Sequence, residues 1–275
     1  MKIVTSIQQM REFRKKLNGS VGFIPTMGYL HEGHISLVKL AKTQDDYVVV
    51  SVFVNPKQFQ PHEDFAAYPR DTQRDLQLLK DAGVDAVFLP NADEIYPENY
   101  ETYISVENLS EKLEGKSRPG HFKGVATIVT KFLNIIQPDH AYFGQKDAQQ
   151  VVVMKKMVLD LQMPIQIIVG ETIREKDGLA LSSRNVYLSE KERKEAVVLF
   201  QSLQLAKRLI DKGENDSGKI KNAVKDLIDT TSGLIDYISV SDPKTLDEVQ
   251  IIENNVLISL AVSFGKTRLI DNIVV

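Results

Sequence analysis

Val21 to Lys42, VGFIPTMGYLHEGHISLVKLAK, decides how the rest of the chain is read. It begins apolar at Val21, Phe23 and Ile24, breaks at Pro25 and Gly28, and restarts as the apolar run Ile35, Leu37, Val38, Leu40, Ala41. A strand, a glycine turn and a buried helix in that order is how an open α/β sheet builds a ligand site at its carboxyl edge. His31-Glu32-Gly33-His34 lies between the two elements. Gly33 lacks a Cβ, so a ligand can approach the backbone there. The helix start that follows offers unpaired N–H groups and partial positive charge, which suits a phosphate, and two imidazoles beside it can donate to phosphoryl oxygens. An isolated H-x-x-H is as readily a polar loop with two surface histidines, so the remaining sequence has to decide.

Upstream, Ser6 and Gln9 form a capping box for an amphipathic helix through Ile7, Met10, Phe13 and Leu17, closed by Asn18-Gly19. Downstream, Tyr47 to Val54 is almost continuously apolar and β-branched, the pattern of a strand covered on both faces. It runs into the polar loop Asn55-Pro56-Lys57-Gln58-Phe59, and 61–69 reads as irregular. Thr72 is the expected cap of a helix through Leu76, Leu79 and Ala82 that Gly83 ends. Strands are expected at Ala86–Leu89 and Thr102–Val106, and a loop at Glu114–Phe122. A buried helix follows at Val125–Ile136, stopped by Pro138. His140–Gly144 is a strand leading into Gln145-Lys146-Asp147 and a helix through Val151 and Leu161, and Ile165–Val169 closes the set. Strands alternating with helices predict a doubly wound, Rossmann-like parallel sheet.

The pattern changes near residue 175. After the turn Lys176-Asp177-Gly178, one long helix is predicted over Ser189–Lys212 and another over Ser217–Asp229. Short strands follow at Leu234–Val240, Asn255–Val262 and Leu269–Val275. The reading is therefore an α/β domain over 1–175 and a small α+β domain with antiparallel strands over 176–275.

Composition excludes several classes. The 275 residues carry 34 Lys plus Arg against 37 Asp plus Glu, a net charge of −3, which argues against a surface that coats nucleic acid. The absence of cysteine removes disulfides, thiolate catalysis and Cys-ligated zinc together. No signal-like segment stands at Met1-Lys2-Ile3, and no apolar run approaches the ~20 residues of a membrane helix, so a soluble cytoplasmic protein is expected. The dinucleotide fingerprint and the Walker sequence are both missing, so any nucleotide needs a different cradle.

Taken together, PTMGYLHEGH, FVNPKQF, RPGHFKGV, FGQKDAQQ and LALSSRN resemble the pantothenate synthetase (pantoate–β-alanine ligase) family, within the nucleotidyltransferases that share an H-x-G-H signature. The resemblance runs from about Val21 to Leu188. It implies a two-step ligation: ATP and pantoate give pantoyl adenylate and pyrophosphate, then the amine of β-alanine displaces AMP. It places ATP against Met27, Gly28, His31, Gly33 and His34, against Gly144, Gln145, Lys146 and Asp147, against Ile173 through its backbone, and against Leu181, Ser182, Ser183 and Arg184. His34, Lys146 and Arg184 would be catalytic. Gln58 would meet pantoate and β-alanine, and Gln150 pantoate; amides hold a hydroxy acid without adding charge. Asn55, Arg118 and His121 stand as further contacts or as scaffold.

Two positions depart from the family pattern: Gln145 where Glu is frequent, and Leu181 where Met is common. Neither side chain is required by the implied chemistry. Magnesium should accompany ATP, with Asp75 as the candidate ligand, and the family implies a homodimer. The alternatives are a nucleotidyltransferase of the same superfamily acting on a phosphate-bearing acceptor, and a non-catalytic nucleotide-binding regulator.

Overall fold

The computed structural model describes residues 1–60, 63 and 65–275. Its tertiary contacts divide the chain into two compact units, Met1–Gly144 with Val153–Gly170, and Gln145–Val152 with Glu171–Val275.

The first unit is built on a parallel sheet. Its strands are β1 (Lys2–Val4), β2 (Val21–Thr26), β3 (Tyr47–Val52), β4 (Ala86–Phe88), β5 (His140–Gly144) and β6 (Gln166–Gly170), in the order β1-β4-β3-β2-β5-β6. Chain direction away from β2 thus reverses between β3 on one side and β5 on the other, the switch point at which open α/β sheets bind ligands. β2 pairs with β3 along its whole length, Val21 to Thr26, whereas its ladder with β5 covers only Gly22 with His140 and Phe23 with Ala141. The carboxyl halves of β2 and β5 are left with no ladder between them, beside the start of the Met27–His34 loop.

Both faces of the sheet are covered. On one, Ile24, Val48, Val50 and Val87 pack with Leu30, with Ile35, Val38 and Ala41 of the helix Glu32–Ala41, and with Leu79. On the other, Phe132 of the helix His121–Ile136 meets Phe23, Phe53 and Phe88 edge-on, with ring centroids 5.6–6.2 Å apart. Such edge-to-face pairs add to simple burial because the positive ring edge meets the negative face. The second unit packs helices Val198–Asp211 and Ser217–Ile228 on an antiparallel sheet of β7 (Leu234–Ser241), β8 (Leu257–Phe264) and β9 (Thr267–Val274). Leu199, Leu203, Ile220, Val224, Ile258, Leu260 and Phe264 form its core.

The parallel sheet, the antiparallel sheet and their order agree with the sequence reading, and six details differ. β1 precedes the first helix. Residues 101–106 form no strand; Ile104 N–H bonds the Thr127 hydroxyl, and no neighbouring strand completes a ladder. The loop expected at 114–122 contains the short helix Leu113–Ser117, and the next helix already starts at His121. Asp71 and not Thr72 caps the helix Thr72–Asp81, its carboxylate accepting from Arg74 N–H. The long helix expected over 189–212 is two, Glu190–Glu195 and Val198–Asp211, because the ladder slips where Leu199 N–H bonds Ala196 O, a three-residue step. The expected boundary at 175/176 lies a few residues beyond the division after Gly170, and 145–152 groups with the second unit through Asn272, as described below.

Candidate functional site

In the first unit, the loop after β2 is shaped by left-handed backbone at Gly28 (φ 84°) and Tyr29 (φ 51°). Gly28 is required twice over: a Cβ there would also press on Val52 and on the Asp75 carboxylate. Holding Tyr29 in that conformation costs about 1–3 kcal/mol unless the surroundings compensate. Asp75 supplies compensation. Its two oxygens accept from Tyr29 N–H and Leu30 N–H, each at 2.7 Å. The carboxyl is almost fully buried, and that burial pushes its pKa up against the pull of the two amides. Both oxygens of this residue, expected from sequence to be a magnesium ligand, serve the backbone that leads into His31.

The helix Glu32–Ala41 then starts with a reciprocal cap made by imidazoles. His31 Nδ1 accepts from Gly33 N–H at 3.1 Å, and His34 Nδ1 accepts from His31 N–H at 3.3 Å. A ring nitrogen that accepts carries no proton, so each neutral imidazole keeps its proton on Nε2. The two rings lie 4.1 Å apart between centroids. The chain thus places two Nε2–H donors at a helix N-terminus, where the end charge favours an anion. Gly33 also serves the cap itself. A Cβ would come within 2.9 Å of the His31 ring and break the cap.

The turn after β3 carries Asn55 and Gln58. Asn55 Nδ2 donates to Gly124 O (3.2 Å) and Gln58 Oε1 (3.0 Å), while its Oδ1 accepts from Lys57 N–H (3.3 Å) and Tyr96 O–H (2.8 Å). Gln58 Nε2 reaches Met27 Sδ at 3.0 Å, which brings two of the sequence candidates together. His121 Nδ1 lies 2.9 Å from Gln58 O, and a carbonyl only accepts, so the proton is on Nδ1. Nε2 then accepts from Arg118, whose guanidinium also forms a bidentate pair with Glu63 at 2.6 and 2.7 Å. Burial and the Arg118 charge lower the His121 pKa to about 4. In the structure Asn55, Arg118 and His121 are therefore scaffold around Gln58. Gly144, the last residue of β5, has open space where a Cβ would stand.

In the second unit, the turn Gln145–Asp147 is fastened to β9. Asn272 Nδ2 donates to the carbonyls of Gln145 (3.0 Å) and Lys146 (2.8 Å), and its Oδ1 accepts from Gln145 Nε2 (3.0 Å). Lys146 and Asp147 lie 3.5 Å apart as an ion pair, and Gln150 is partly exposed on the helix Ala148–Asp160. Ile173 and Leu181 sit on the two arms of a hairpin, joined by Leu181 N–H to Ile173 O at 3.0 Å and by a bridge between Arg174 and Ala180. Gly178 (φ 101°) makes its turn against the Phe200 ring.

Arg174 anchors this hairpin. It forms a bidentate pair with the buried Asp271 at 2.6 and 2.9 Å, donates to Gly178 O, and stacks its guanidinium over Phe200. Fork-to-fork pairing of that kind fixes direction as well as charge. The hairpin delivers Ser182, whose hydroxyl accepts from Arg184 N–H at 3.3 Å and caps the turn Ser183–Tyr187. Asn185 Nδ2 ties that turn back to Ala180 O and to Glu175. Lys146, Ser182 and Asn185 line one small pocket with Ala180 and Asp271. Asn272, Arg174, Asp271 and Asn185 were not singled out from sequence. The signal available was Asp271-Asn272, two adjacent polar residues inside the otherwise apolar run Leu269–Val275.

The comparisons agree with this fold. The chain matches the family described as Pantoate-beta-alanine ligase over residues 2–274. It is 54% identical to the pantothenate synthetase of Acetivibrio thermocellus and 53% identical to that of Caldicellulosiruptor bescii, covering 100% of this chain and 99% of each relative. Among solved structures it resembles pantothenate synthetase from Thermus thermophilus, with a TM-score of 0.95 at 43% identity over 99% of both chains. It also resembles the Francisella tularensis pantoate-beta-alanine ligase complexed with β-γ ATP and β-alanine, with a TM-score of 0.81 at 37% identity over 99% of this chain and 97% of that one.

Proposed function

The chain belongs to the pantoate–β-alanine ligase family, and from that premise we propose that it makes pantothenate through a pantoyl-adenylate intermediate. A carboxylate oxygen of pantoate attacks the α-phosphorus of ATP, and the bond to the bridging oxygen breaks to release pyrophosphate. The amine of β-alanine then attacks the acyl carbon, AMP departs with the carbonyl–oxygen bond's electrons, and the ammonium proton passes to solvent. Neither step needs a nucleophile from the protein. Its work is to hold the reacting atoms in line and to stabilise charge on the phosphates.

The observation that carries this reading is the pair of imidazoles whose Nδ1 atoms are committed to the backbone, which fixes the proton of each on Nε2 at a helix start. Donors fixed in that way need no reorganisation when negative charge grows on a phosphate. His34 is assigned to the phosphates with His31 beside it, and Met27, Gly28 and Gly33 form the rest of that wall. Lys146 supplies a compact positive charge. Gly144, Gln145 and Asp147 shape its turn. Ile173 meets adenine through its backbone, and Leu181, Ser182, Ser183 and Arg184 act on the phosphates. Gln58 and Gln150 bind pantoate.

Among the described residues no group of three or more His, Asp or Glu could hold a metal ion. Those residues therefore offer no cage for magnesium, which is assigned to the phosphates of ATP and enters none of the steps above. No helix among the described residues is long and apolar enough to cross a membrane. The reading extends to a cytoplasmic homodimer that uses small-molecule substrates and no nucleic acid.

The test is exchange of labelled pyrophosphate into ATP with pantoate alone, followed by AMP release when β-alanine is added. Exchange that appears only when β-alanine is present would exclude the adenylate.

A further inference from the structure

An amide side chain offers a donor on one side and an acceptor on the other, and which of the two Gln58 turns toward a ligand is set by its neighbours. Backbone groups supply the reference, because a carbonyl only accepts and an N–H only donates. Asn55 lies between one of each, Gly124 O at 3.2 Å from Nδ2 and Lys57 N–H at 3.3 Å from Oδ1. Reversing the Asn55 amide would set oxygen against oxygen and N–H against N–H. With the orientation so fixed, Tyr96 O–H donates to Oδ1 at 2.8 Å and completes its shell. The second Asn55 Nδ2 hydrogen then has one destination, Gln58 Oε1 at 3.0 Å. Asn55 is 1% and Gln58 9% exposed, so water is poorly placed to substitute for any of these partners.

The acceptor of Gln58 is thereby used inside the protein, and its Nε2 is left against Met27 Sδ, a weak acceptor that a ligand oxygen displaces readily. The main chain of Gln58 is held as well, by His121 Nδ1–H on its carbonyl. Given that Gln58 lies in the acid pocket, as proposed above, we infer that Asn55 and Tyr96 are positioning residues that fix Gln58 as a hydrogen-bond donor. This point of the pocket takes an oxygen acceptor of the acid substrate, a carboxylate or hydroxyl oxygen, and rejects a donor there. Polarity passes from the Gly124 carbonyl through two amides to the substrate.

The experiment is calorimetric titration of the full-length enzyme with pantoate, with ATP titration and a thermal melt run beside it. Asn55→Asp keeps the shape but leaves only acceptors at this position. Gln58 then turns its Nε2 inward and presents Oε1 to the acid, and pantoate affinity falls on the order of a hundredfold while ATP affinity holds. Should that variant fail to fold, Gln58→Glu keeps a partner for Asn55 Nδ2 and removes the donor, with the same expected loss. Its loss should also shrink as pH is lowered from 7.5 toward about 5.5 relative to wild type, because a protonated carboxyl regains a donor. A merely structural role would not produce that recovery. Tyr96→Phe, which removes one of the two donors on Asn55 Oδ1 and loosens that amide, should cost about three- to tenfold in pantoate affinity. Native pantoate affinity in Gln58→Glu, beside a clear loss in Gln58→Ala, would overturn the donor assignment. Native affinity in Gln58→Ala would instead remove Gln58 from the acid pocket and so refute the underlying functional reading.

Discussion

Gly124→Ala sets two large effects against each other. The residue lies in the first turn of the helix His121–Ile136, where an alanine is intrinsically favoured over glycine by about 1 kcal/mol. Against that, the new Cβ would stand 2.2 Å from Lys57 O, 2.5 Å from Lys57 C and 2.7 Å from Gln58 Cα. All three are backbone atoms, so no side-chain rotation relieves the clash. Restoring an ordinary contact requires the helix and the Asn55–Gln58 turn to separate by roughly 1 Å. Such a movement stretches the Asn55–Gly124 bond, now 3.2 Å, beyond hydrogen-bonding range and loosens the His121–Gln58 contact at 2.9 Å. Overpacking costs about 1–3 kcal/mol, and a buried amide left short of a partner costs about 1–3 kcal/mol more. The propensity gain is outweighed, and a net loss of about 1–5 kcal/mol follows. Urea denaturation monitored by circular dichroism measures it, and pantoate titration should show weakened binding with ATP binding retained. A variant as stable as wild type, with unchanged pantoate affinity, would refute the claim that close approach at Gly124 holds this turn.

Three further outcomes are expected. His121 is buried and neutral with a pKa lowered from 6.5 to about 4, so its contribution to stability is complete above 6.5 and is lost as pH falls toward 4. The loss is on the order of 3 kcal/mol, and urea midpoints at pH 7 and pH 4.5 should converge in His121→Gln, whereas an unchanged difference would assign the acid sensitivity to other groups. Asp75→Asn sets an NH₂ against one of the two loop amides, so adenylation should slow at least about tenfold and stability should fall by about 1–3 kcal/mol; recovery of the rate in millimolar magnesium would assign Asp75 to the metal instead. Arg184→Ala should slow single-turnover adenylation by about 10²–10³-fold with a much smaller change in ATP affinity, and Arg184→Lys should restore only part of the rate, because a point charge cannot reproduce the guanidinium fork. Equal losses in rate and in ATP affinity would make the Ser182–Arg184 turn a ground-state clamp.

The alternation of strand and helix was readable because each buried element carries its own signal, a short β-branched apolar run or a longer apolar stretch behind a glycine turn, in its own residues. Tyr47–Val52 and the helix starting at Glu32 could be placed for that reason. Elements that depend on a neighbour were harder. Lys2–Val4 is a strand only because Val87 and its neighbours in β4 pair with it, and three residues show no period. Thr102–Val106 has strand composition but lacks a partner to complete a ladder. The break near Ala196 is a one-residue slip in hydrogen bonding within a sequence that favours helix on both sides, and composition carries no trace of it.

The site divides along the same physical line. Residues that meet a ligand have short-range signatures, since a phosphate or a carboxylate imposes particular groups at particular spacings along one loop. Residues that hold those loops are defined by pairs distant in sequence. Asp271 acquires its role from Arg174, 97 positions away, and Asn272 from Gln145, 127 away. Asp75 looks like a free carboxylate on a helix until the amides of Tyr29 and Leu30, about 45 positions earlier, are seen to end on it. Gly33 shows the limit most sharply. The sequence gives it one expected role, ligand approach, and the fold adds a second that no spacing shows, because the nearest obstacle to a Cβ is the ring of His31. A sequence can therefore indicate that a position is constrained, but the direction of the constraint, toward a ligand or toward the protein itself, depends on which atoms surround it in the folded chain.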